Sequence, residues 1–169
     1  MSNQSHYYYE DECHYRLTPA GPDHAQIAAA AGIADYLDVV YAHHFDDEPE
    51  SAVKGRRLRQ LFSDYESALL APLLDFLRAR SDVFIVGPDD PRIRASTVAI
   101  LPLEKPVPAV VAELEKQKLM VASGDFDGIR QLKEMNIDGD PGVIRMSFLH
   151  YTTRDEIDHL IRGLTIALK

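Results

Sequence analysis

Arg145 is the residue whose type and setting most clearly demand chemistry. It stands inside the β-prone run Val143-Ile144-Arg145-Met146-Ser147-Phe148. A guanidinium is always charged, so within an apolar strand it must be paired with an acid or wait for an anion. A carboxylate suits it best, because the planar fork gives two charge-assisted hydrogen bonds. A structural ion pair within the same domain is the competing reading. Gly124-Asp125-Phe126 could gate a pocket beside Arg145, though such loops are more often plain strand-to-helix connections. Arg92 and Arg94 flank a strand and suit surface salt bridges. His43-His44 with Asp46, Asp47 and Glu48 has poor metal-ligand spacing, since adjacent helical positions diverge by about 100°. His150 and Tyr151 follow the Arg145 strand and suit the turn there.

The elements that must hold Arg145 follow from hydrophobic period and punctuation. Residues 1–22, with the cluster Tyr7-Tyr8-Tyr9, read as extended or irregular. Asp23 can cap a helix over about 24–44, with Ile27, Ala31, Ala34, Leu37 and Tyr41 along one side. That thin alanine face asks for cover, either from the next helix or from a second copy. Asp46-Asp47-Glu48-Pro49 is a loop. A helix over about 50–80 carries a stripe from Leu58 to Leu77, and Pro72 should kink it. Strands are expected at 83–86, 97–101, 119–122 and 143–148. Helices follow from Pro106 to Lys118, from Asp127 past Leu132 and Met135, and from Thr153 onward. Thr153 with Glu156 three residues on makes a capping box. The folded core is expected in 83–169.

The resulting class is α/β, of the α+β type: a four-stranded, mostly antiparallel sheet with helices packed on one face, preceded by two long helices. At 169 residues and 46% hydrophobic, one ordinary core can be buried. The net charge of −9 disfavours a nucleic-acid partner. No apolar run suits a membrane span, and the N-terminal residues lack signal-peptide character. The single cysteine, Cys13, excludes an internal disulfide framework and fits a reducing compartment. A cytoplasmic protein is the expectation.

The closing segment Gly142-Val143-Ile144-Arg145-Met146-Ser147-Phe148 … Tyr151-Thr152-Thr153-Arg154-Asp155-Glu156 resembles the last strand, turn and helix of the class V aminotransferase and cysteine desulfurase family, pyridoxal-phosphate enzymes of fold type I. Tyr15-Arg16-Leu17-Thr18-Pro19-Ala20-Gly21-Pro22 resembles the segment after that family's lysine-bearing region. The resemblance implies that 1–50 is a remnant of the large domain, 51–82 a connecting helix, and 83–169 the complete small C-terminal domain. It implies that Arg145 grips the α-carboxylate of an amino-acid substrate, with Gly124 and Phe126 on the neighbouring loop. It also implies pyridoxal phosphate in the complete enzyme and a homodimer, with room for a separately encoded large domain.

The departures matter as much. The Schiff-base lysine, the aspartate for the pyridinium nitrogen and the ring-stacking aromatic lie in the family's large domain and have no counterpart here. The six lysines, Lys54, Lys105, Lys116, Lys118, Lys133 and Lys169, all fall on helices, loops or the terminus. The loop that holds the nucleophilic cysteine of desulfurases is Ser123-Gly124-Asp125-Phe126-Asp127 here, with no thiol. No catalytic, cofactor-binding or metal-binding residue is therefore expected in this chain, which should be inactive alone. The different-class alternative is a non-catalytic module for dimerisation or partner binding.

Overall fold

The structure is a computed structural model, and it describes residues 23–169. The chain divides into two compact units, Met1–Leu58 and Arg59–Lys169. The element order is α1 (His24–His44), α2 (Ser51–Arg78), β1 (Val83–Val86), β2 (Thr97–Pro102), α3 (Val107–Lys116), β3 (Ala122–Gly124), α4 (Ile129–Glu134), β4 (Val143–Ser147) and α5 (Arg154–Ala167).

In the first unit Asp23 caps α1 as the sequence suggests, its side chain accepting from the Ala25 and Gln26 amides. The next helix leaves most of the alanine side uncovered. Ile27, Ala31 and Ala34 are exposed, and Tyr41 is the one buried residue of α1. Alanines lack the volume to close an interface, so the end of the helix is held by polar groups instead. Tyr41 donates to Asp47 at 2.9 Å, and Arg57 donates to both at 2.7 Å. Lys54 bonds Asp38 at 2.8 Å.

The second unit is a four-stranded sheet in the order β1-β2-β4-β3, with every neighbouring pair antiparallel. The alternation of side chains divides its faces. Val98, Ile100, Ile144, Met146 and Phe148 share one core with leucines of α2 and apolar residues of α3 and α5. The core thus reaches further back than the 83–169 span expected from the sequence. Leu69, Leu70, Leu73, Leu74 and Leu77 of α2 are at most 1% exposed, each worth about 1.5–3 kcal/mol in removal from water. A smaller cluster of Leu132, Ile137 and Val143, with Phe126 against it, includes the short α4. α2 runs through Pro72 as one helix, although that residue cannot donate to the Ala68 carbonyl.

One strand lies elsewhere than expected. Residues 119–122 read as a strand, yet pairing begins at Ala122 and ends at Gly124. The cause is the end of α3. Lys118 takes φ 60, its amide bonds Glu115 O, and Leu119 N bonds Leu114 O. This is the Schellman arrangement, which satisfies the last carbonyls of α3 and sets the direction of the chain beyond it. The start of α4 also shifts. Gly128, not Asp127, is its N-cap, and the bend before it is held by Asp125, which accepts from the Asp127 amide at 3.1 Å.

Candidate functional site

Arg145 lies on the sheet face opposite the main core. Its cross-strand neighbours are Ala99 on β2 and Ala122 on β3. Two alanines beside a long side chain leave the guanidinium uncrowded, and Arg145 is exposed. Among the described residues it has no carboxylate within ion-pair distance. Its neighbour is the Phe126 ring, whose centroid lies 3.9 Å from Cζ. Such stacking fixes the plane of the guanidinium without using its N–H donors.

The loop that delivers Phe126 is built for that purpose. Gly124 has φ 145, and Phe126 and Asp127 have φ 51 and 61. Left-handed conformations at two successive non-glycine residues are costly and persist only where surroundings enforce them. One constraint comes from Gly142, at φ 71. A Cβ there would stand 2.2 Å from the Gly124 carbonyl carbon and oxygen. Only glycine lets the end of β3 approach the start of β4 this closely. No local signal in the sequence marks this contact, which only the pairing of Gly124 with Val143 brings about.

One step along β4 on the same face, Ser147 pairs with Thr97, and their hydroxyls are 3.2 Å apart. This hydroxyl pair was also missed. Strand alternation alone places Ser147 with Arg145, but β2 register is needed to add Thr97.

The other candidates settle into structure. Arg92 pairs with Asp90 at 2.7 Å, and its hydrogen bonds hold the Asp90 carboxyl down to about 2. Arg94 donates to the carbonyls of Pro88 and Thr97, and desolvation pushes its guanidinium pKa down. His150 stacks on Phe62 with centroids 4.1 Å apart, filling the turn after β4. His43 and His44 meet edge to face at 4.9 Å. Among the described residues no group of three His, Cys, Asp or Glu side chains could hold a metal ion. No helix of the described residues is long and apolar enough to cross a membrane. Cys13, Tyr7-Tyr8-Tyr9 and the 15–22 segment lie outside the described residues.

The lysines are mostly held in structure, and Lys118 lines the cleft that Ser147 also lines. Lys54 and Lys116 are in ion pairs with Asp38 and Glu113, and Lys105 donates to the Ala167 carbonyl at 3.2 Å. Lys118 ends α3, Lys133 is exposed on α4, and Lys169 closes the chain.

No protein-family model matches the sequence, and neither does any curated protein. Solved structures do match. The cysteine desulfurase CsdA of Escherichia coli aligns over 91% of this chain and 33% of its own, with TM-score 0.66 and 17% identity. An apo cysteine desulfurase of Thermococcus onnurineus NA1 aligns over 69% of this chain and 28% of its own, with TM-score 0.58 and 20% identity. A NifS-like protein of Rickettsia africae ESF-5 aligns over 69% and 31%, with TM-score 0.53 and 19% identity. The chain therefore spans about a third of the length of the structures it matches. At this identity the likeness is one of fold, and the fold is that of the C-terminal domain of cysteine desulfurases.

Proposed function

We propose that this chain is the substrate-carboxylate part of a pyridoxal-phosphate enzyme of the class V aminotransferase and cysteine desulfurase kind, acting on an amino acid. The observation that carries the proposal is Arg145: exposed, oriented by Phe126 at 3.9 Å, and without a carboxylate partner among the described residues. Arg145 binds the carboxylate, Phe126 holds the guanidinium plane, and Gly124 gives the loop its path. The fold, shared with cysteine desulfurases, supports the same reading.

The described residues do not fit the cofactor itself. Among the described residues Lys54, Lys116 and Lys105 are tied to Asp38, Glu113 and the Ala167 carbonyl. Cofactor chemistry would need groups beyond these residues. The loop Ser123–Asp127 holds no thiol, which disfavours persulfide chemistry and leaves the reaction type open among amino-acid transformations.

Two measurements test this. Acetate titrated against the chain at fixed ionic strength should shift the Arg145 side-chain resonances saturably, and chloride should not. Identical responses to both salts would refute carboxylate recognition. Borohydride reduction in the presence of pyridoxal phosphate should label no single lysine stoichiometrically. One fully labelled lysine would overturn the division of labour.

One observation favours the alternative of a dimerisation module. On the side of α1 that carries Ala31 and Ala34, both exposed, Ile27 is 61% exposed. A second copy covering this helix would give a concentration-dependent dimer in sedimentation. A monomer at high concentration would remove that reading and leave Arg145 untouched.

A further inference from the structure

β4 is unequally used along its two sides. Toward β2 it is bonded past its end, where Phe148 N donates to Ser96 O at 2.9 Å. In an antiparallel pair, alternate residues turn both backbone groups to the same neighbour. Phe148, Met146 and Ile144 thus bond toward β2, while Arg145 and Ser147 turn toward the β3 side. β3 stops at Ala122, opposite Arg145. The N–H and C=O of Ser147 face no strand. Across from them lies Leu119-Met120-Val121, separated by a cleft of about 270 Å3 that Met146, Ser147, Phe148 and Leu160 also line.

That segment already has the alternation of a strand. Leu119 and Val121 pack against the main core, as Met146 and Phe148 do. Met120 is 100% exposed. Continuing the register from Ala122 and Arg145 sets Val121 opposite Met146 and Met120 opposite Ser147. Both members of the first pair face inward, and both members of the second face outward. Leu119 is the fixed end, because its Cδ1 lies 2.2 Å from where a Cβ of Gly163 would stand, in the notch that glycine leaves on α5.

We propose that Met120 and Val121 close onto the free edge of β4, lengthening β3 by two residues and setting the Met120 side chain on the Arg145 face as an apolar wall of the carboxylate site. Closure gives the Ser147 N–H and C=O their strand partners on Met120 and brings a fully exposed thioether against the outward face of the sheet. With Arg145 holding a carboxylate, which rests on the function proposed above, Met120 stands diagonal to Arg145, in one cross-strand row with Thr97 and Ser147 and on the side of Ser147 away from Thr97. The ligand class this selects is a carboxylate with an unbranched apolar chain, in preference to a short one.

Hydrogen exchange by NMR on the full chain reads the closure directly. The Ser147 amide should exchange at least about tenfold more slowly than an unprotected amide. Met120→Pro removes the N–H that would donate to the Ser147 carbonyl and puts a ring on the pairing edge, so the strand should not close. Protection of the Ser147 amide, which needs the Met120 carbonyl as acceptor, should be lost, with the Ile144 amide unchanged. An unprotected Ser147 amide in the unaltered chain overturns the closure. Titration followed at the Arg145 side chain should show hexanoate binding several-fold more tightly than acetate, and Met120→Gly should erase the difference. Equal affinity for the two acids in the unaltered chain overturns the wall. If neither acid moves the Arg145 signal, the carboxylate reading fails and Met120 loses its role there, while Ser147 exchange still decides the closure.

Discussion

The two faces of the sheet are built on opposite terms. One carries Val98, Ile100, Ile144, Met146 and Phe148, closed over by α2, α3 and α5. The other carries a smaller cluster of Leu132, Ile137 and Val143, and beside it Ala99 and Ala122 flank Arg145 and the Thr97–Ser147 hydroxyls follow. The first face has the volume that stabilises a fold. The second has room around a charge that the fold does not neutralise. A pair of arginines shows the same difference at the scale of one side chain. Arg80 lies over Phe76 at 5.6 Å but also donates to Asp82 at 2.8 Å and to the Leu168 carbonyl at 3.2 Å. Arg145 lies over Phe126 and, among the described residues, has no acid to pair with. Stacking is common to both, and the carboxylate partner separates a structural arginine from one held ready.

The comparison breaks most visibly in the core. Leu74 is 0% exposed, and Leu74→Ala should cost about 2–5 kcal/mol in chemical denaturation, through lost transfer energy and an unfilled cavity. A cost within the scatter of surface substitutions would mean that the covered face does not hold the fold.

Arg80→Ala should follow, at about 1.5–3 kcal/mol near neutral pH, the scale of hydrogen bonds to charged groups. Its pH dependence has a defined sign. The Arg80 hydrogen bonds hold the Asp82 carboxyl below its ordinary value. A depressed carboxylate contributes stability that is complete above the unfolded pKa and is lost as pH falls through the folded one. The gap between the two proteins should therefore persist at pH 6 and shrink once the pH is below about 4. A gap that widens in acid would contradict the pairing.

Thr153→Ala should cost about 0.5–2 kcal/mol. Thr153 Oγ1 accepts from the Glu156 amide at 3.3 Å, and Glu156 accepts from the Thr153 amide at 2.7 Å. Those bonds to Thr153 lower the Glu156 pKa, so this contribution too fades as acid protonates the carboxyl. An equal loss at neutral and strongly acidic pH would show that the box is not what anchors α5.

Much of this arrangement is legible in the sequence because local signals agree with it. The capping box at Thr153, the alternation along β4 and the aromatic two residues after Gly124 are each readable within a few residues. What was not legible depends on distant partners. Leu119-Met120-Val121 has the composition of a strand, but Lys118 in a left-handed conformation and Leu119 seated over Gly163 decide where pairing starts. The leucines of α2 show helical period without revealing which sheet they cover. α1 has the period of a buried helix but only alanine volume, and its exposure cannot be read from spacing. The Gly142 contact with Gly124 joins residues 18 positions apart and exists only once β3 and β4 pair.

The smallest expected effect bears on the central claim, that Arg145 is held for a ligand and is not used by the fold. Arg145→Ala removes only the contact with Phe126, worth about 0.5–1 kcal/mol at an exposed site. Equilibrium denaturation of this variant beside Arg80→Ala, at neutral pH and equal salt, is the direct measurement. The account predicts a loss of no more than about 1 kcal/mol for Arg145→Ala, clearly below that for Arg80→Ala. A loss at Arg145 as large as that at Arg80 would show a structural ion pair, and Arg145 would no longer stand as the carboxylate site.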